Sequence, residues 1–305
     1  MNLISVIIVN WYSNDYIKKL LDNLKSITKN PENLRIIIID NTNGKDVAIE
    51  KIVSHDLNVT LHKLDPKGYT SSKGHSYGLN FASRFISTEY ALLIDPDVHI
   101  FRKHWDSFCI EQLRSQNCVA IGAPYPFWKT GKYHNFPSPI FCFFNTKDLL
   151  ETGGDWTALS DHWWQNMSKF FIRQFGRSGG LLTRKRMQKF PSLRKISEKM
   201  ERIFGVFSQD TGWRIADQVR KKQLKSIQFS VITQAETELI TPANMTAVYQ
   251  GLASQYELYG YDREAILTHK YSTGVKSWRT EKGASEDFWF DCIEKIEQST
   301  RYAGF

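Results

Sequence analysis

The most constraining feature of the sequence is a series of apolar runs of strand length in its first hundred residues. Three of these runs are uninterrupted, and a fourth is a weaker candidate: Ser5–Asn10, Arg35–Asp40, Tyr90–Asp95 and, less regular, Val59–Leu64. Strands that are apolar on both faces are typical of parallel sheets covered by helices on each side. Apolar residues at helical spacing from Ile17 to Ile27 and over Ser76–Ile86 predict connecting helices. This order predicts an α/β fold with a Rossmann-like, mostly parallel central sheet flanked by helices.

Polar residues terminate three of these runs, at Asn10, Asp40 and Asp95. In such sheets a ligand binds in the crevice beyond the carboxyl ends of the strands, so these positions are candidate binding residues. Asp95 also begins the tripeptide Asp95-Pro96-Asp97, which places two carboxylates two residues apart. Hard oxygen ligands of this kind suit Mg²⁺ or Mn²⁺ held together with substrate phosphates. The alternative is a polar turn that closes a strand.

The second half of the chain is less regular. Strands are predicted at Val119–Pro124, Ile140–Asn145 and Ile227–Thr233, and a helix is predicted over Asp210–Lys222. Six tryptophans in this half have apolar faces that suit sugar rings, although such residues are more often part of a core. They are Trp128, Trp156, Trp163, Trp164, Trp213 and Trp278.

Neither a transmembrane segment nor a signal peptide is predicted. The first ten residues lack a basic region and a cleavage site, and they fit a strand instead. The longest uncharged run, Leu239–Tyr256, contains a proline and several polar residues, so it is too polar for a lipid-exposed helix. Four cysteines without C-x-x-C spacing argue against a zinc module or a disulfide scaffold and fit a reducing compartment.

The basic excess of the chain is concentrated in one segment. The formal net charge is +8, and residues 169–202 contain eleven Lys and Arg against two Glu, so the remainder is close to neutral. Aromatic residues are mixed with these charges. The segment is interpreted as a solvated insertion, as a surface that contacts an anionic membrane, or, least favoured because no such motif accompanies it, as a nucleic-acid-binding element.

In motif content and order the sequence resembles the inverting, family-2 type glycosyltransferases with the GT-A fold. SVIIVNWYSNDYIKKLL is similar to the family's first strand and helix, IIIIDN to its second strand, and DPD to its D-x-D motif. The resemblance covers residues 1–155 and 205–235. It implies a single GT-A catalytic domain over 1–305 with an inserted basic helical segment. The expected division is a nucleotide-sugar-binding half at 1–100, an acceptor half at 101–240 that includes the basic insertion 156–207, and a C-terminal extension at 241–305.

The resemblance also implies residue roles at the donor site. Asp40 would read the edge of a pyrimidine base, since a carboxylate can accept a hydrogen bond from the N3–H of uracil or thymine. Asp95 would lie toward the ribose, and Asp97 would bind Mn²⁺ or Mg²⁺. His269, in LTHKYSTG, is similar to a late histidine that supports the metal, with a structural histidine as the alternative. The remaining positions implied to lie in the base pocket or near the ribose and diphosphate are Val9, Asn10, Trp11, Gly74, His75 and Asn80.

Asp210 is the expected catalytic base. Family members carry an E-D pair at a helix N-terminus, and the matching string here, FSQDTGWRIAD, gives Gln209-Asp210. The Glu-to-Gln departure removes one carboxylate and keeps the Asp. About fifty residues separate Asp155 from Asp210, far more than the family's usual short loop, and the basic segment fills this gap. The alternative role for Asp210 is a helix cap.

The function implied is metal-dependent, inverting transfer of a sugar from a UDP- or dTDP-sugar to a hydroxyl of a glycan or lipid-linked glycan, in cell-surface polysaccharide or glycan assembly. The expected location is cytoplasmic, with peripheral contact at the inner face of an anionic membrane through residues 169–202. Two alternatives are a sugar nucleotidyltransferase and a non-enzymatic nucleic-acid-binding protein. The first would need a glycine-rich basic loop after the first strand, where NWYSNDY stands. The second leaves the strand-end acids unexplained.

Overall fold

The computed structural model of the chain describes residues 3–53, 58–159, 163–178, 182, 184–241, 244–270 and 286–302. The strands are Ile4–Asn10 (β1), Leu34–Asp40 (β2), Val59–Lys63 (β3), Tyr90–Ile94 (β4), Val98–Ile100 (β5), Ala120–Pro124 (β6), Pro137–Asn145 (β7), Ser226–Gln228 (β8), Ser230–Val231 (β9), Glu257–Tyr261 (β10) and Glu264–His269 (β11). The helices are Asn14–Ile27 (α1), Val47–Val53 (α2), Ser71–Ala82 (α3), Trp105–Gln116 (α4), Thr146–Leu150 (α5), Trp163–Ser178 (α6), Arg184–Lys189 (α7), Pro191–Phe204 (α8), Trp213–Lys221 (α9), Thr246–Gln255 (α10) and Glu286–Tyr302 (α11).

The main sheet has seven strands in the order β3-β2-β1-β4-β7-β6-β8. The first four are parallel, β7 runs antiparallel to both of its neighbours, and β8 is parallel to β6. The register pairs Asn10 with Asp40 and Ile7 with Leu93, so β2, β1 and β4 end at the same edge. This architecture confirms the predicted α/β fold, and it collects the three polar strand ends along one line.

A second sheet, which the sequence analysis did not predict, contains four antiparallel strands in the order β5-β11-β10-β9. Its β5 follows the Asp95–Asp97 turn directly, and in the register Val98 pairs with His269. The second sheet therefore carries the β10–β11 hairpin from the C-terminal part of the chain to the edge where β4 ends.

Two predicted elements differ from the structure. The single strand predicted at Ile227–Thr233 is wrong, because β8 joins the main sheet, β9 joins the second sheet, and Phe229 between them donates its N–H to Gly122. The helix predicted over Ser76–Ile86 begins earlier and ends at Ala82. Its early turns contain Gly74 and Gly78, which are poor helix formers, but close packing on Val9 and Asn41 leaves no room for a side chain at Gly78.

Apolar residues fill both sides of the main sheet. Ile17 and Leu20 of α1 and Trp105 of α4 belong to the core on one side, whereas Leu79 of α3 and Ile215 of α9 belong to the core on the other. A third apolar cluster lies between the second sheet, α10 and α11. Helices thus cover both faces, as the apolar strands require. Within the described residues, no helix combines the length and the apolar character needed to span a bilayer.

Candidate active site

Two carboxylates mark the carboxyl end of β4. The turn that carries them is held by the N–H of Val98, which donates to the carbonyl of Asp95, and by the N–H of Lys270, which donates to the carbonyl of Asp97. The side chain of Asp95 keeps 23% of its surface exposed, whereas that of Asp97 is almost completely buried. One carboxylate therefore faces the open crevice, and the other lies beneath it.

His269, at the end of β11, completes a cluster with these carboxylates. Its Nε2 lies 3.3 Å from Oδ1 of Asp97 and 3.6 Å from Oδ2 of Asp95. One ligand atom from each of the three residues falls within 4.8 Å of the others. Two carboxylate oxygens and one imidazole nitrogen suit a divalent ion such as Mn²⁺. The residues present fit the metal that the D-x-D pattern implies. His75 of α3 adds its Nε2 at 3.4 Å from Oδ1 of Asp95.

A buried polar chain holds His269 in place. Its Nδ1 lies 2.9 Å from Oε2 of Glu257, and because a carboxylate only accepts, the imidazole donates there and leaves Nε2 toward the two aspartates. Glu257 also pairs through Oε1 with Nζ of Lys129 at 2.7 Å and accepts from the hydroxyl of Tyr259 at 3.1 Å. Alternation along β10 places Glu257 and Tyr259 on the same face.

The electrostatics of this chain favour positive charge at the cluster. Burial opposes the charged imidazolium, but the carboxylates of Asp97 and Glu257 outweigh it and raise the pKa of His269 to about 10. Burial also acts against ionised Glu257, and the charges of Lys129 and His269 nevertheless hold its pKa well below the ordinary range. For Asp95, burial is the largest influence and raises the pKa.

Glu257→Gln is expected to weaken binding of Mn²⁺ about 10- to 100-fold, because the amide is a poorer acceptor for the Nδ1–H that orients His269. Titration calorimetry with Mn²⁺ alone measures this change. Glu111→Gln, on the exposed face of α4, is the matched control and is expected to leave the affinity unchanged. An unchanged affinity in Glu257→Gln, with thermal melting showing an intact fold, would contradict the role given to Glu257.

The strand-end residues Asn10 and Asp40 form a second polar group at this edge. Asn10 donates from Nδ2 to Oδ1 of Asp40 at 3.3 Å and to Oδ2 of Asp46 at 2.9 Å. Asp40 is fully buried, and its carboxylate accepts from the N–H and hydroxyl of Thr42 and from the N–H of Gly44. In this structure these side chains hold the turn after β2.

The other predicted donor-site residues lie beside this group. Trp11, directly after β1, exposes 43% of its surface, whereas Val9 is buried against Gly78 of α3. The carbonyl of Gly74 accepts a hydrogen bond from Nδ2 of Asn41 at 2.9 Å, which ties α3 to the end of β2. Asn80 instead uses its side chain to hold residues 155–157, through bonds to Trp156 and Thr157.

Asp210 lies in the loop before α9, next to a lysine. Nζ of Lys132 pairs with its Oδ2, and the N–H of Thr211 donates to its Oδ1 at 2.9 Å. Burial raises the pKa of Asp210, but the charge and hydrogen bond of Lys132 outweigh it and hold the pKa well below the usual range. The N-cap residue of α9 is Gly212, so the helix-cap alternative for the Asp210 side chain is wrong.

A narrow cleft adjoins Asp210, and its cavity volume of about 10 Å³ leaves room for roughly one water molecule. It is lined by residues that include Tyr125, Lys132, Thr211 and Trp213. The hydroxyl of Thr211 donates to the carbonyl of Ser72 in the first turn of α3. His75 follows one turn later and contacts Asp95, so the start of α3 connects the Asp210 loop with the metal-ligand cluster.

The basic insertion is docked on the loop of residues 125–134. Ser197 of α8 donates to the hydroxyl of Thr130 at 2.9 Å, and Glu201 accepts from the N–H of Gly131 at 2.7 Å. This loop also carries Lys129 and Lys132, which are the partners of Glu257 and Asp210. Most of α8 is exposed, which agrees with a solvated insertion, and its Ser197 and Glu201 also support the loop behind both parts of the site.

Comparison with known proteins assigns the family. The sequence profile of the family described as Glycosyl transferase family 2 matches residues 5–178, more than half of the chain. The chain belongs to glycosyl transferase family 2. The resemblance seen in the motifs is confirmed, and with it the expected enzyme class, glycosyl transfer. The family-2 assignment also displaces the two alternatives, a sugar nucleotidyltransferase and a nucleic-acid-binding protein.

Solved structures of glycosyltransferases are similar to about half of this chain at low identity. The mannosyltransferase PcManGT from Pyrobaculum calidifontis, in complex with GDP-Man and Mn²⁺, is 17% identical over 52% of this chain and 48% of its own, with a TM-score of 0.41. S. aureus TarS 1-349 in complex with UDP-GlcNAc is 19% identical over 52% of this chain and 48% of its own, with a TM-score of 0.37. This family-2 chain thus matches about half the length of either structure. No curated protein sequence matches it significantly.

Proposed function

We propose that this family-2 protein is a metal-dependent, inverting glycosyltransferase that moves a sugar from a UDP- or dTDP-sugar to a hydroxyl group of a glycan acceptor. The observation that carries the proposal is the convergence of Asp95, Asp97 and His269 at the carboxyl end of β4. This is the crevice in which an open α/β sheet binds its ligand. The family assignment supports the reaction class.

The proposed metal site uses Asp97 and His269, with Asp95 beside them. Mn²⁺ or Mg²⁺ bound there would neutralise negative charge on the diphosphate leaving group. His75, which contacts Asp95 at the exposed side of the cluster, would donate a hydrogen bond to the ribose or diphosphate, and Gly74 would lie near the same groups. These side chains bind and orient the donor before transfer.

The proposed base pocket lies at the ends of β1 and β2. The exposed ring of Trp11 offers a stacking surface, with Val9 and Asn10 next to it in the chain. Asp40 would accept the N3–H of the base only after its carboxylate, which is buried here and holds the turn after β2, becomes accessible. Uracil and thymine carry this N3–H, whereas cytosine has an acceptor at the same position. A thermal-shift screen of nucleotide sugars tests this assignment: stabilisation by UDP- and dTDP-sugars, and not by the CDP compounds, supports it, and the reverse order contradicts it.

Asp210 is the proposed catalytic base. It would take the proton from the acceptor hydroxyl as the new bond to the anomeric carbon forms, and attack opposite the leaving diphosphate inverts the configuration. Tyr125 and Trp213 line the narrow cleft beside it, and their aromatic rings would contact the apolar side of a sugar ring once the cleft widens around an acceptor. Lys132 keeps the carboxylate deprotonated, so the base is in its reactive form at neutral pH.

Lys132→Met is expected to raise the pKa of Asp210, because the neighbouring cation is lost while burial, which also raises the pKa, remains. A base works when deprotonated, so the acid limb of kcat/KM should move to higher pH in the variant. Carboxyl NMR titration, with Asp210→Asn used to assign the signal, measures the pKa directly. Lys132→Arg keeps the cation and should titrate like the unchanged protein. The same low pKa in Lys132→Met would show that Lys132 does not cause the shift.

The domain division and location are proposed on the same basis. Residues 1–100 would bind the donor and 101–240 the acceptor, with the C-terminal extension 241–305 supplying His269 to the metal.

The four cysteines are free and buried, which suits a reducing cytoplasmic compartment. We also propose that the acceptor is lipid-linked, in cell-surface glycan assembly, and that the basic segment 169–202 gives peripheral contact with the inner face of an anionic membrane.

A further inference from the structure

Helix α6 exposes a stripe of large apolar side chains. The stripe consists of Trp163, Trp164, Met167, Phe170 and Phe171, all of which are exposed, Trp163 to 75% and Phe171 to 63%. At about 100° per residue these positions fall within an arc of roughly 120° on one side of the helix. The spacing is that of an amphipathic helix whose apolar side faces outward instead of toward a core.

The four side chains Trp163, Met167, Phe170 and Phe171 form the most exposed part of this stripe together with Trp164. No other described helix or strand packs extensively against α6, whereas α7 and α8 pack against each other. Contiguous apolar surface of this kind on a globular protein marks an interaction site. Tryptophan and phenylalanine are the residues that an interfacial helix places at the boundary between lipid headgroups and acyl chains.

The chemistry of the neighbouring helices indicates what covers the stripe. The chain continues into α7 and α8, which expose a series of basic side chains: Lys185, Arg186, Lys189, Arg194, Lys195, Lys199 and Arg202. These charges attract an anionic surface. A second copy of the chain would bring the same basic residues against its own, and repulsion between like charges disfavours that arrangement.

We propose that α6 lies in the interface of an anionic lipid bilayer, with its Trp163–Phe171 stripe inserted and the exposed basic residues of α7 and α8 on the headgroups. The apolar part of the contact thus begins upstream of residues 169–202. The biological purpose, access to a lipid-linked acceptor, rests on the proposed function, whereas the membrane contact itself does not. Because α8 supports the 125–134 loop, the contact would hold the cleft beside Asp210 near the membrane surface.

Vesicle flotation of the full chain tests the proposal. Vesicles of phosphatidylcholine and phosphatidylglycerol, in a roughly 7:3 ratio, are compared with vesicles of phosphatidylcholine alone. The chain is expected to float with the anionic vesicles only, and less at high salt. Trp163→Ser/Phe170→Ser/Phe171→Ser should lower the partition coefficient at least about tenfold. Leu239→Ser removes an equally exposed apolar side chain from another element and should not change it.

Several outcomes would overturn the proposal. The first is that the unchanged chain does not float with anionic vesicles. The second is that the triple variant floats to the same extent as the unchanged chain. The third is that light scattering shows a dimer of the unchanged chain that the triple variant does not form. The last result would identify the stripe as an interface between copies. Mn²⁺-dependent UDP binding by the triple variant, measured by calorimetry, should remain unchanged and reports an intact fold. Asp97→Ala should still float, so failure of the membrane contact and failure of the proposed transferase function are distinguishable.

Discussion

Asp210→Asn is expected to bind nucleotide sugar normally and to lose about 10²- to 10⁴-fold in turnover, because the amide cannot take the proton from the attacking hydroxyl. The substitution keeps the size of the side chain and an acceptor for the N–H of Thr211. The acceptor is not needed for the measurement, since slow transfer to water releases UDP from the donor and uses the same base. Calorimetry with UDP and Mn²⁺ gives the binding affinity in parallel.

Two comparisons make the result on Asp210 interpretable. Asp22→Asn, on the exposed face of α1, changes charge by the same amount and should leave UDP release unchanged. Asp210→Asn also leaves Lys132 without its carboxylate partner, so thermal melting should accompany the assay. If a folded Asp210→Asn variant has the same turnover as the unchanged chain, the assignment of Asp210 as the base is wrong.

Asp97→Ala is expected to abolish the metal-dependent part of nucleotide binding. Asp97 contributes the buried carboxylate of the cluster, and its Oδ1 lies 3.3 Å from Nε2 of His269. The other carboxylate of the cluster, that of Asp95, is partly exposed. The remaining pair, Asp95 and His269, cannot neutralise and hold a divalent ion to the same extent. Calorimetry with UDP or dTDP, each with and without Mn²⁺, separates the metal-dependent binding from the intrinsic binding.

The expected pattern for Asp97 is specific. In the unchanged chain Mn²⁺ should strengthen UDP binding at least about tenfold, and in Asp97→Ala the two titrations should coincide. Asp22→Ala serves as the charge-matched control and should retain the full Mn²⁺ effect. If Mn²⁺ strengthens UDP binding equally in Asp97→Ala and in the unchanged chain, the metal site lies elsewhere.

The sequence predicted the part of the site that local pattern encodes. Runs of apolar residues that end in a polar residue define strands and their carboxyl ends, so Asn10, Asp40 and Asp95 could be assigned to one edge from the sequence alone. The position of Asp97 followed because it lies two residues beyond the same strand. His269 was identified through the family resemblance, and its place beside the two aspartates follows from the β5–β11 pairing.

Residues whose role depends on distant partners were missed. Lys129 and Glu257 are buried together although well over a hundred residues separate them, and neither belongs to a motif. Lys132, the ion-pair partner of Asp210, lies in a loop with no periodic pattern. A buried ion pair of this kind is specified by the packing of separate segments, which a reading of local spacing does not detect. The alternation of Glu257 and Tyr259 in β10 was the one local signal available.

The 125–134 loop links the proposed donor and acceptor chemistry of this protein. One short segment carries Lys129, which pairs with the Glu257 behind His269, and Lys132, which pairs with the proposed base Asp210, and α8 holds the backbone between them. Substitutions in the insertion that adapt the site to a new glycan would therefore also change the metal affinity and the proton transfer. Diversification of the acceptor in such a chain would therefore favour substitutions that keep the contacts of Ser197 and Glu201 with the loop.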